Sequence, residues 1–213
     1  MVQFVFLGDS NWFYRDHAFE HFPWHLMYTP GDVATFTAAR LTPALPCYAF
    51  PIYKLDMSWE NQTRFHSLIQ AVTAHDPDCY LMLWLGQNTA WDLACSQHAH
   101  ADVKKCLDIA SNRVQKFVDN LMTTGPFQRI YLIDYHDHDT MKANELYQQL
   151  NQHIMHELQH RLPCSVRIPM IDTMPDMYTD GTHLSRQSQQ LVAQHIAEFV
   201  QADSYPQHFG LIQ

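Results

Sequence analysis

Apolar positions along this chain fall into two rhythms. Short runs rich in aliphatic, aromatic and β-branched residues occur at residues 2–7, His25 to Tyr28, 79–85, Arg129 to Asp134 and Ser165 to Met170. Each reads as a strand, and the first, Val2-Gln3-Phe4-Val5-Phe6-Leu7, as one buried on both faces. Between them, Val33 to Leu41, Glu60 to Ala74, Ala101 to Thr123, Met141 to Leu162 and Leu184 to Gln201 repeat apolar residues every three or four positions, the spacing of an amphipathic helix. In the fourth of these, Leu146, Leu150, Ile154 and Leu158 form a stripe that reads as core. Strands alternating with helices predict a doubly wound parallel α/β sheet covered on both faces. One segment breaks both rhythms. Thr42 to Ser58 carries Pro43, Pro46 and Pro51 among Tyr48, Phe50 and Tyr53, too many prolines for a helix, and reads as a cleft wall, a lid or an aromatic loop packed on the core.

Composition narrows the class. At 213 residues and 46% hydrophobic content, the chain reads as one domain over residues 1–213 whose core needs neither disulfides nor metal. No run approaches the roughly 20 apolar residues of a membrane span, and no basic, cleavable leader precedes the first strand. The five cysteines, Cys47, Cys79, Cys95, Cys106 and Cys164, form no CxxC pair, which suits a reducing, cytoplasmic setting. A net charge of -9 argues against nucleic acid as a partner, because phosphate binding needs clustered Lys and Arg. Nothing in the pattern specifies an oligomeric state.

Three polar groups follow apolar runs in places that suit chemistry. Gly8-Asp9-Ser10 leaves the C-terminal end of the first strand, the edge where open α/β sheets bind ligands. Gly86-Gln87-Asn88 leaves the run 79–85 in the same way, so an Asn side chain there is able to donate to an oxyanion beside Ser10. Asp180-Gly181-Thr182-His183 precedes the last helix and offers a base together with a carboxylate to orient it, which a serine hydroxyl needs before it becomes a nucleophile. The plainer alternatives are that Asp9, Ser10 and Asp180 only cap helices, and that His183 is one solvated histidine among fifteen.

Taken in order, these segments resemble the blocks of the SGNH subgroup of the GDSL esterase/lipase family, and the resemblance runs through almost the whole chain. Gly8-Asp9-Ser10 is similar to its nucleophile block, Gly86-Gln87-Asn88 to its Gly-x-Asn block and Asp180-Gly181-Thr182-His183 to its Asp-x-x-His block. Thr29-Pro30-Gly31-Asp32 is similar to the block whose glycine N–H joins the oxyanion hole. The resemblance implies a flavodoxin-like α/β/α sandwich with a five-stranded parallel sheet and a serine esterase acting on a small-molecule, glycan or lipid ester. It also implies a triad of Ser10, His183 and Asp180, an oxyanion hole from Ser10, Gly31 and Asn88, and no cofactor or metal. Asp9, Asn11, Trp12 and Gln87, which flank the blocks, are expected to touch substrate. Two positions depart from the family pattern: Thr89 stands where an Asp is usual, and the bulky Asn11-Trp12-Phe13-Tyr14-Arg15 replaces a small turn.

Other classes remain open at this point. The same acyl-enzyme passed to a second alcohol would make the protein an acyltransferase, and the scaffold is also able to serve as a non-catalytic binding protein. A metal-dependent hydrolase would draw on His136-Asp137-His138-Asp139 or on His17, His21 and His25, whose residue types are ordinary ligands for zinc or iron.

Overall fold

Alternate residues of a strand point to opposite faces, and the inner strands of this protein bury both. In β1 (Gln3–Gly8), Val5 and Leu7 join one core while Phe4 and Phe6 join the other. The same division holds in β3 (Cys79–Trp84) and β4 (Arg129–Ile133), where Leu81, Leu83, Ile130 and Leu132 oppose Tyr80, Met82, Trp84, Tyr131 and Ile133. The computed structural model describes residues 3–9, 12, 33–41, 48–52, 54–55, 59–74, 79–95, 102–125, 127–135, 144–171, 177–178 and 183–204. Within them, these strands together with β2 (Tyr48–Pro51) and β5 (Ser165–Ile168) form one all-parallel sheet in the order β2-β1-β3-β4-β5.

Six helices are found among the described residues: α1 (Val33–Leu41), α2 (Trp59–Thr73), α3 (Gln87–Cys95), α4 (Val103–Met122), α5 (Glu145–Arg161) and α6 (Arg186–Ser204). Helices α1 and α6 pack on the face of Phe4 and Phe6, and α2 to α5 on the face of Val5 and Leu7. The result is the three-layer α/β/α sandwich that the alternation predicts. Local chemistry sets several boundaries. Asp102 caps α4 by accepting from Lys105 N–H, and Asn144 caps α5 by accepting from Tyr147 N–H, each satisfying a donor that the first helical turn leaves unpaired. Of the stripe on α5, Leu150, Ile154 and Leu158 are buried in the core.

Two elements differ from the sequence pattern. The strand next to β1 is Tyr48–Pro51, inside the proline-broken segment, whereas His25 to Tyr28 lies outside the described residues. An edge strand bonds on one side only, and here Ile52 N–H donates to the Gly8 carbonyl at 2.7 Å, so the donor that Pro51 lacks falls on the open side of the sheet. Phe50, Ile52 and Leu55 are buried in the core, so this part of the segment packs on the core rather than forming a lid. The second difference is α3, which no apolar stripe announces. Its buried face includes the polar Gln87 and Thr89, while Trp91 is exposed.

Candidate active site at the ends of β1 and β3

β1 and β3 are neighbours, with Gly8 opposite Trp84, so the residues that follow them emerge side by side. The strands approach closely here. A Cβ on Gly8 would lie 2.2 Å from the Trp84 carbonyl oxygen and 2.5 Å from Trp12 Cδ1, distances that only glycine accommodates. Asp9 N–H donates to that same Trp84 carbonyl at 3.4 Å, and the Asp9 carbonyl accepts from Trp12 N–H at 3.1 Å.

Trp12 then turns inward. It is fully buried, edge-to-face against Phe6 with ring centroids 5.1 Å apart and against Trp84 at 5.2 Å. The expectation that it touches substrate is therefore corrected. An indole that size gains more by filling the core beneath the strand end than by standing in a polar cleft.

The end of β3 is shaped by Gly86, whose φ of +125° belongs to a region that L side chains rarely adopt. Its carbonyl accepts from Ala90 N–H at 2.9 Å and so opens α3. Asn88 falls in the first turn of that helix, and its Nδ2 donates to Asp9 Oδ2 at 3.1 Å. Asp9 is 1% exposed, so its carboxylate faces the Asn88 amide inside the protein and not an open substrate cleft. A buried carboxylate needs such donors, and the positive end of α3 adds a favourable field.

Polar links brace α3 from outside. Thr89 is fully buried and its Oγ1 accepts from Leu55 N–H at 3.0 Å, while Lys54 forms an ion pair with Asp92. The threonine that departs from the family pattern thus joins the segment after β2 to the helix bearing Asn88. Gln87 is buried at the opening of α3, beside a small cavity lined also by Gly86, Tyr135 and Asn151.

His183 lies two residues before Ser185, which leads into α6. Tyr178 and Leu184 form an antiparallel bridge, Ser185 N–H donates to the Met177 carbonyl at 2.8 Å, and Ser185 Oγ accepts from Ser188 N–H at 3.3 Å. Met177 and Leu184 are both buried, which anchors the approach to the helix, and His183 itself is half-buried. These contacts start α6 at Arg186 rather than Leu184.

The structure therefore joins Asp9 to Asn88 and sets His183 on an anchored helix approach. Ser10, Asn11, Gly31 and Asp180 lie outside the described residues, as do His17, His21, His25 and the stretch His136 to Asp139. Among the described residues, no group of three or more His, Cys, Asp or Glu side chains is able to hold a metal ion. No described helix is long and apolar enough to cross a membrane. The roles of Thr89 and of the buried Asn151 were not anticipated. Asn151 carried a signal, since Tyr147, Asn151, Ile154 and Leu158 follow helical spacing along the buried face of α5.

No protein-family sequence model matches the chain, and no curated protein matches it in sequence. Solved structures do match in fold. A member of the lipolytic G-D-S-L family from Veillonella parvula superposes with a TM-score of 0.58 at 12% identity, covering 97% of this chain and 100% of that one. A carbohydrate acetylesterase from Sinorhizobium meliloti gives 0.54 at 16% identity, covering 95% and 99%. A family 3 carbohydrate esterase from Talaromyces cellulolyticus gives 0.55 at 13% identity, covering 95% and 98%. The five-stranded parallel sheet and its two helical layers are, on these grounds, the fold of the SGNH/GDSL-type esterases.

Proposed function

We propose that this protein is a serine esterase that hydrolyses a carboxylic ester, with O-acetyl groups on glycans among the candidate substrates. Ser10 attacks the ester carbonyl, His183 removes its proton and later returns it to the leaving alcohol, and Asp180 orients the imidazole and stabilises its cation. The oxyanion is held by the N–H groups of Ser10 and Gly31 and by the Asn88 amide. Water then releases the acyl group.

The observation that carries this reading is the hydrogen bond from Asn88 to Asp9. Asp9 directly precedes Ser10, and consecutive Cα atoms are about 3.8 Å apart, so the bond supports an amide within reach of the serine's surroundings. An Asn amide nitrogen carries two hydrogens. One held by a buried carboxylate fixes the amide plane in advance, which is what stabilising a developing charge requires. The fold shared with an acetylesterase and other carbohydrate esterases supports the substrate class.

The test is hydrolysis of p-nitrophenyl esters from acetate to long chains by the wild type and by Ser10→Ala and Asn88→Ala. Turnover is expected to vanish in Ser10→Ala while the fold persists. Asn88→Ala is expected to lose kcat by about 100- to 1,000-fold with KM little changed. Full activity in Ser10→Ala overturns the reading. Activity lost to EDTA, and not to a serine-directed organophosphonate, would move it to a metal-dependent hydrolase.

A further inference from the structure

Beside the turn that delivers Asn88 lies a cavity of about 10 Å3 at the ends of β3 and β4, lined by Gly86, Gln87, Tyr135, Asn151, Ile154 and Met155 among others. Its polar feature is Asn151, which α5 presents between the core residues Leu150 and Ile154. Asn151 is 3% exposed, and its Nδ2 has no hydrogen-bond partner among the described residues. A buried amide donor left unpaired is costly, and native proteins rarely keep one. A void of this size has room for about one water molecule, provided the walls offer it polar contacts. Gly86 has only main-chain atoms to present to the cavity, so Asn151 and the Gly86 main chain both bring polar groups to its lining.

We propose that this cavity is a binding site for a single ordered water molecule that accepts from Asn151 Nδ2 and donates to the Gly86 main chain, making Asn151 a positioning residue for Asn88. The water ties α5 to the one turn whose glycine conformation decides where α3 begins. Its chemistry is specific: an apolar guest would leave Nδ2 unpaired. The kinetic part of the proposal rests on the esterase reading of Asn88, whereas the water itself does not.

Two measurements test it on the full chain. A crystal structure that resolves ordered water should show density within hydrogen-bonding distance of both Asn151 Nδ2 and the Gly86 main chain, and a dry cavity overturns the proposal. In p-nitrophenyl acetate hydrolysis, Asn151→Leu, which removes the donor and fills the space, should lower kcat about tenfold with KM unchanged. Asn151→Ser keeps a donor and leaves room for water, so it should stay within about twofold of wild type. Wild-type kcat in Asn151→Leu, or equal losses in both variants, overturns the positioning role. Should Asn151→Leu fail to fold, the density and the kcat of Asn151→Ser decide the matter. If Ser10→Ala retains activity, the esterase reading fails, while the crystallographic result still judges the water.

Discussion

The two strand ends that carry the candidate site each use a glycine, for opposite reasons. Gly8 is demanded by its neighbours, since a Cβ would meet the Trp84 main-chain oxygen at 2.2 Å. Gly86 is demanded by its own backbone, at φ +125°, and a Cβ there would meet a methyl of Ile154 at 2.9 Å and no main-chain atom within 4 Å. Support differs as well. The end of β1 rests on an aromatic core of Phe6, Trp12 and Trp84, whereas the end of β3 is braced by polar links through Thr89 and Lys54. The end of β1 is thus locked by close packing, and the end of β3 by backbone conformation and hydrogen bonds.

Substitutions separate these two kinds of constraint. Gly8→Ala should have the largest effect, about 3 kcal/mol or more by urea unfolding, because a main-chain oxygen is unable to yield without parting β1 from β3. An unchanged midpoint would show that the strands are less tightly joined than the distance implies. Gly86→Ala should cost about 2 kcal/mol through backbone strain. In an Ile154→Ala background, which removes the contacting Cγ2 methyl and leaves the φ as it is, Gly86→Ala should still cost most of that amount. No cost in that background would make packing the constraint at both ends and erase the contrast.

Thr89→Val keeps shape but leaves the Leu55 N–H without its acceptor, so about 1–2 kcal/mol should be lost together with some kcat. The smallest effect belongs to Glu157, in the last turns of α5. The Glu157 carboxyl is held below the usual carboxylate range, chiefly by the hydrogen bond from Arg161 and opposed by partial burial. A depressed carboxyl contributes stability above its unfolded-state pKa of about 4.3 and loses it as pH falls through the folded value. Glu157→Gln should therefore cost about 0.5 kcal/mol at pH 7 and nothing measurable near pH 2, with kcat unchanged. An equal cost at both pH values would show that packing, not charge, is what the residue contributes.

Much of the sheet was legible because β1, β3, β4 and β5 are apolar runs with turn-forming flanks, and four of the six helices carry long periodic stripes. β2 was hidden by its prolines, which an edge strand tolerates at its end and an interior strand does not. Helix α3 was hidden because its buried face includes the polar Gln87 and Thr89, the latter holding the Leu55 N–H, so hydropathy gives no stripe to read. At the site, the spacing of Gly8-Asp9-Ser10 and Gly86-Gln87-Asn88 signalled a shared edge. It did not reveal that Asp9 and Asn88 bond to each other, a contact between residues 79 positions apart. Trp12 misled for a related reason. Its place after the nucleophile block suggests a cleft wall, and only the three-dimensional gap between Phe6 and Trp84 makes it core.

The strand order also bears on how the protein behaves in a crowd of its own copies. In the sequence β2-β1-β3-β4-β5 the outer strands are β2 and β5, and each is only four residues long. One ends in Pro51, and the other carries Arg167, whose guanidinium is held by Asp134 on the neighbouring strand end. Short borders bearing a proline or a fixed charge are poor templates for another chain's backbone. The same proline that disguises β2 in the sequence thereby helps to keep the sheet from growing by edge-to-edge aggregation.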